Sequence, residues 1–136
     1  MNREIKFRGK RLDKNKWIYG YLVFNEDYIF DYSERIDIPY IIPIDNFNLK
    51  DYKEYRVDSE TVGQYTGLKD ENDKELYEGD VIDIEYKDIT VKNAIITYKR
   101  ASFYGLDDNH YWKLDCCSIK KIGNIYESKV KDDKDN

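Results

Sequence analysis

Residues 61–86 read TVGQYTGLKDENDKELYEGDVIDIEY, and this stretch decides the fold. It holds Gly63, Gly67 and Gly79, three of the seven glycines in the chain. Val62, Gln64 and Thr66 alternate with Gly63, Tyr65 and Gly67, as in an extended segment. Asp70, Asn72 and Asp73 then supply short polar side chains that bond the local backbone and tolerate a turn. Leu76 and Tyr77 resume the apolar pattern. Gly79, between Glu78 and Asp80, marks a position that needs positive φ or close backbone approach. Beyond it, Ile82, Ile84 and Tyr86 share one face while Val81, Asp83 and Glu85 share the other, which is the period of a half-buried strand. The stretch is therefore expected to be a hairpin followed by a tight turn into another strand, with Gly67 and Gly79 as structural turn residues. Many small SH3-like barrels begin a strand with a turn like Glu78-Gly79-Asp80-Val81, a likeness of fold alone.

The same alternation extends in both directions. Ile5 and Phe7 alternate with Lys6, Arg8 and Lys10, giving an apolar face and a basic face. Residues 13–16 read as a turn. Residues 17–24 form a second strand with Trp17, Tyr19, Tyr21 and Val23 on one face and Ile18, Gly20 and Leu22 on the other. Both faces are apolar, so the strand is expected to be central and buried. Residues 28–32 suggest a short strand. Residues 36–44 are apolar but contain Pro39 and Pro43, which lack a ladder donor and place the segment at an edge or a crossover. Residues 45–55 suggest one or two helical turns. Downstream, strands are expected over 90–98, 101–104, 110–116, 118–122 and 123–126, and residues 127–136 as a disordered tail. The expected core contains Phe7, Trp17, Tyr19, Val62, Ile82, Ile84, Ile95 and Ile125.

With 136 residues the chain is long enough for one cored domain, residues 1–126, which divides at most into an N-terminal β part (1–56) and an SH3-like part (57–126). The expected class is mainly β with little helix: an N-terminal β-hairpin or meander packed with a C-terminal, SH3-like, partly open barrel. Charged residues make up 38% of the chain, above the usual quarter, so the surface is dense in ions. No apolar run approaches the ~18 residues a membrane span needs, and no signal-peptide pattern is present. A soluble, cytoplasmic protein is expected. The two cysteines, Cys116 and Cys117, are adjacent; on a strand they point to opposite faces, so a relaxed bridge between them is not expected.

Candidate chemistry is sparse. His110 and Cys116 share a strand face, but two ligands do not make a structural zinc site, which takes four. The acidic turn at 70–75 lacks the glycine and terminal glutamate of a calcium loop, and Lys74 stands where a ligand belongs. No phosphate-loop, nucleophile-elbow or zinc-protease motif occurs. No catalytic residue, cofactor or metal is expected, and the protein is read as a non-enzyme.

Several motifs resemble a known family. The opening REIKFRGKRLD, the WIYGYLV run, TVGQYTGL, the acidic turn, ELYEGDVI and the late GNIYE look, in that order and spacing, like the YopX family of phage and prophage proteins. The likeness covers residues 3–23 and 57–127. One departure is that the family's hairpin carries Asn-Gly where this chain has Asn72-Asp73. Asp enters the left-handed region less readily than Gly, so strain or a longer turn is expected there. The resemblance implies a small, β-rich, self-associating protein of a phage or integrated element, with no established catalytic residues.

Charge is segregated. Residues 1–16 hold seven Lys/Arg against two acids, a net of +5, and residues 70–85 hold eight acids and Lys74, a net of −7. The candidate interaction surface is therefore Asp70, Asp73, Glu75, Asp83 and Glu85 on the acidic side and Lys6, Arg8 and Lys10 on the basic side. Three functions follow as expectations. The first is a self-assembling β module, with homo-oligomers the rule for small soluble proteins. The second is a phage inhibitor of a host nucleic-acid or defence enzyme that uses the acidic face. The third is nucleic-acid binding through Lys6, Arg8, Lys10 and Arg11 with aromatic stacking, which a pI of about 5.0 argues against.

Overall fold

The computed structural model describes residues 4–29, 34–43, 54–115 and 117–127. It is mainly β, with all strand pairs antiparallel. Neither sheet closes into a barrel. Helix among the described residues amounts to single turns, such as Ser59–Thr61 and residues 125–127. The chain divides into two compact units, Met1–Gln64 and Tyr65–Asn136.

The first unit is built on β1 (Phe7–Lys10), β2 (Trp17–Ile29) and β3 (Glu34–Pro43). They lie in the order β3-β2-β1, and β1 also pairs with Gly63 and Gln64, the first residues of β4 (Gly63–Lys69). Strand β3 is outermost, as two prolines require, because the missing N–H groups then cost no ladder bonds. Of the expected strand over 28–32, Tyr28 and Ile29 are the far end of a long β2, and residues 30–32 lie outside the described residues. Of the expected helical turns at 45–55, residues 45–53 lie outside the described residues, as does the tail beyond 127. The unit's core is Ile18, Ile38, Tyr40, Ile41, Tyr55 and Val57, with Phe7 and Val62 packed against it.

Strand β2 departs from expectation. It pairs with β1 over Trp17–Gly20 and with β3 over Gly20–Ile29, and among the described residues burial on its even-numbered face is confined to Ile18, Gly20 and, in part, Leu22. Tyr19 is exposed, not core, and Trp17 is half-buried. Apolar residues on both faces show that a strand suits the interior of a sheet; they do not show that a second layer covers each face.

The second unit contains the rest of β4 paired with β5 (Glu75–Tyr77). Its main sheet has the order β10-β6-β7-β8-β9. Its strands are β6 (Asp80–Glu85), β7 (Thr90–Lys99), β8 (Ser102–Asp107), β9 (His110–Lys113) and β10 (Ser118–Asn124). Ile82 and Ile84 are buried with Leu76, Val91, Ala94, Ile96, Leu114 and Ile119. Ile95 was expected inside, but Ile96 takes that role. Ile82 pairs with Ala94 and Ile84 with Val91, so β7 carries one extra residue there. Asn93 absorbs it with φ 57. A bulge of this kind shifts the inward phase by one residue. Ile125 is half-buried.

The tight turn between β5 and β6 is present as read. Gly79 has φ 93. Its N–H donates to the Ile96 carbonyl and its carbonyl accepts from the Ile125 N–H, both at 2.9 Å. It thus ties the turn to β7 and to the C-terminal turn, where Asn124 Oδ1 caps the Tyr126 and Glu127 N–H groups. Gly79→Ala is expected to cost about 1–2 kcal/mol, the penalty for a side chain in the left-handed region. Urea unfolding checks this, and an unchanged midpoint would show that the turn relaxes freely.

Candidate interaction surfaces

The acidic segment was singled out as a surface, but folding uses several of its carboxylates internally. Asp70 is only 7% exposed. Its Oδ1 accepts from the Asn72 and Lys74 N–H groups, each at 2.9 Å, and its Oδ2 accepts from the Lys121 N–H at 2.9 Å. Desolvation alone would raise its pKa; the three backbone donors outweigh that and hold the carboxyl below its ordinary value. Asp83 is half-buried. Its Oδ1 accepts from the Asn93 N–H at 3.0 Å and its Oδ2 lies 3.3 Å from Lys92 Nζ, so it holds the β7 bulge. Glu75 accepts from the Tyr77 hydroxyl at 3.0 Å. Only Asp73 and Glu85 of the five stand in the exposed class. As surface residues, Asp70 and Asp83 are therefore corrections: a short carboxylate beside a turn or bulge is drawn in by backbone donors that have no other acceptor.

Asp73 has φ 65, at the position where the resembled family has Gly. The Asp73 N–H closes the turn on the Asp70 carbonyl at 3.0 Å. The departure is accommodated as local strain. Asp73→Gly is expected to raise stability by about 1 kcal/mol, since Gly adopts that φ without a Cβ clash. The exposed Lys69–Asp73 pair at 3.7 Å would be lost with little effect. A melting temperature at or below that of the parent would show that the Asp73 side chain stabilises the turn.

The basic strand also turns inward. Arg8 is 1% exposed, with its guanidinium 4.6 Å from the Trp17 ring centroid. Lys10 lies 5.6 Å from the same centroid and is half-buried. Both face the Trp17–Tyr19 side of the sheet, because Lys10 pairs with Trp17 and Arg8 with Tyr19. Lys6 pairs with Glu4 at 3.4 Å. Arg11 holds Asp13 through two bonds, Nε to Oδ1 at 2.9 Å and Nη2 to Oδ2 at 2.7 Å. The Arg11 hydrogen bond lowers the Asp13 pKa. Arg8 is therefore a correction to the expected solvent-facing basic row: its planar cation stacks on an indole instead.

Sequence reading missed Asp80 and Lys121. Asp80 is fully buried; its Oδ2 accepts from the Tyr77 N–H at 2.7 Å and lies 3.3 Å from Lys121 Nζ. The available signal was phase: Asp80 alternates with Ile82 and Ile84, so it had to point inward.

What faces solvent instead is apolar. On β2, Tyr19, Tyr21 and Val23 are 44%, 54% and 45% exposed, and they share one strand face. On the second unit, a shallow cleft of ≈ 320 Å³ is lined by Leu68, Lys69, Asp70, Leu114, Cys117 and Ile119. Cys117 is half-buried there, with its Sγ 3.6 Å from the Lys113 and Leu114 carbonyls. Cys116 lies outside the described residues. His110 is exposed and packs against Trp112, with centroids 4.3 Å apart and ring planes tilted by 47°. Among the described residues, no three His, Cys, Asp or Glu side chains gather as a metal site. No helix among them is long and apolar enough to cross a membrane.

Residues 6–130 match a family model described as YopX protein. No curated protein matches the chain.

Proposed function

We propose, from the premise that the chain belongs to the YopX protein family, that it is a non-enzymatic accessory protein of a phage or integrated element which works by self-association. The observation that carries this reading is the exposed row Tyr19, Tyr21 and Val23 on β2. Three adjacent apolar side chains on one sheet face are costly to leave in water. Tyrosine brings contact area together with a hydroxyl that stays satisfied at a wet interface. Strand β2 pairs with β1 over Trp17–Gly20 and with β3 over Gly20–Ile29, and the contact uses the side chains on its exposed face. Charge docking between the acidic and basic segments is the weaker route, since Arg8, Asp70 and Asp83 are engaged within the fold.

The test is size-exclusion chromatography with light scattering over a range of concentration and salt. The expected result is an oligomer that survives raised salt and that Tyr21→Glu converts to monomer, with the circular dichroism spectrum unchanged. A monomeric wild type, or an oligomer indifferent to Tyr21→Glu and Val23→Glu, overturns the reading.

A further inference from the structure

We propose that the end of the β7–β8 hairpin, together with β9, is a contact site for single-stranded nucleic acid. The net charge of −5 opposes such a partner only if it is spread evenly, and it is not. Residues 89–106 contain no Asp or Glu, although the chain holds 28, and they carry Lys92, Lys99 and Arg100. Folding gathers the last two at a hairpin tip. Tyr98 pairs with Phe103 and Lys99 with Ser102. Arg100 and Ala101 make the reversal with φ 52 and φ 63. Two residues of positive φ form the tight turn that matches strand twist, so the cations sit on a stiff tip. Lys99, Arg100, Ala101 and Ser102 are all exposed.

Aromatic rings flank both sides of this tip. On one side exposed Tyr98 lies 4.9 Å from Phe103, centroid to centroid. On the other, Tyr104 meets Tyr111 edge-on at 5.9 Å. Lys99 Nζ lies 4.4 Å from the Tyr111 ring centroid and donates to its hydroxyl at 3.1 Å. Lys113 pairs with Tyr104 across β8–β9 and adds a third cation near the tip. Asp107 and Asp108 sit at the end of β8 away from the hairpin tip, roughly 15 Å from it at about 3.3 Å per residue, with Asp107 paired to His110 at the start of β9. Asp115, on the loop after β9, is the acid that follows Lys113 most closely in sequence.

Exposed cations beside aromatic rings match a strand whose bases are unstacked. A duplex hides those bases, and an acidic peptide has no use for the rings. The site lies in a different unit from the β2 face and does not depend on self-association.

The experiment is fluorescence anisotropy of the full chain with labelled oligothymidylate and oligouridylate at low salt. Saturable binding is expected. Its log–log salt slope should be about −2, from three phosphate contacts at about −0.7 each. Lys99→Ser with Arg100→Ser should weaken binding about 10-fold and flatten the slope. Tyr111→Leu should weaken binding with the slope unchanged. Melting temperatures establish that each variant is folded. Light scattering on the same samples should show the parental oligomeric state, so this site and the β2 contact stand or fall separately. No saturable binding to either oligonucleotide overturns the proposal. So does a duplex bound as tightly as the single strand, a hairpin variant that binds like the parent, or capture by anionic vesicles alone.

Discussion

Ile84→Ala is expected to lower stability by about 4 kcal/mol, in the upper part of the range for such truncations. Ile84 is 0% exposed and sits at the centre of the second unit's cluster with Ile82, Val91 and Ala94. The cost of a truncation depends on how far the surroundings collapse into the space left. Here collapse is restricted, because part of the wall is backbone. A Cβ built on Gly105 would stand 2.6 Å from Ile84 Cδ1 and 3.4 Å from Ala94 Cβ. Gly105 therefore has no side chain to move into the cavity. Urea unfolding reads the effect, and a change under about 0.5 kcal/mol, the size of a surface substitution, would place Ile84 outside the core.

The same contact makes a sharper test. Gly105→Ala alone should cost about 1–3 kcal/mol through overpacking. Ile84→Val removes Cδ1 and should cost about 1 kcal/mol by itself. Combined, the alanine fills the space the valine vacates, and the double variant should be close to Ile84→Val alone. The two substitutions then couple by about 1–3 kcal/mol, the whole cost of Gly105→Ala. Strict additivity would mean that Gly105 is needed for its backbone and not for the approach of Ile84.

Asp70→Ala is expected to cost about 3 kcal/mol near neutral pH, because one carboxylate serves three backbone N–H groups, and hydrogen bonds to charged groups are worth about 1.5–3 kcal/mol each without full additivity. Asp70→Asn separates the turn from the tether. Its oxygen can still accept from the Asn72 and Lys74 N–H groups, but its amide would face the Lys121 N–H, donor against donor. A loss of about 1–2 kcal/mol is expected there. The pH dependence has a definite sign. Asp70 titrates below its ordinary value of 3.8 in the folded protein. Its contribution is therefore fully present above that value and is lost as pH falls through the folded pKa. Acid titration should show the wild type losing stability in that window, and both Asp70 variants losing less. Parallel acid curves for all three proteins would place the acid response on other carboxylates.

Much of the fold was legible because a strand's alternation is a local property. Ile82 and Ile84 read as inward, and both are buried. Gly79 read as a positive-φ turn, and its φ is 93. Asn72-Asp73 read as a strained departure, and Asp73 takes φ 65. The proline-bearing segment read as an edge or a crossover, and β3 is the edge of its sheet. The misses fall where one local irregularity resets the phase or where a distant group competes for a side chain. The Asn93 bulge exchanges Ile95 for Ile96, and nothing in the apolar run 94–96 marks where the extra residue lies.

The candidate surface was the least legible part. Charge counts place eight acids between residues 70 and 85, but they do not say which acids reach water. The sequence by itself determined the class, the turns and the inward phase of β6, since these depend on neighbours one to four residues apart. Only the tertiary structure decided that β2 keeps a Tyr-rich face in solvent, that Arg8 lies over Trp17, and that Asp70 takes the Lys121 N–H from 51 residues away. A buried backbone donor must find an acceptor once strand pairing brings it out of water, and which carboxylate it meets is set by register between distant strands, not by composition.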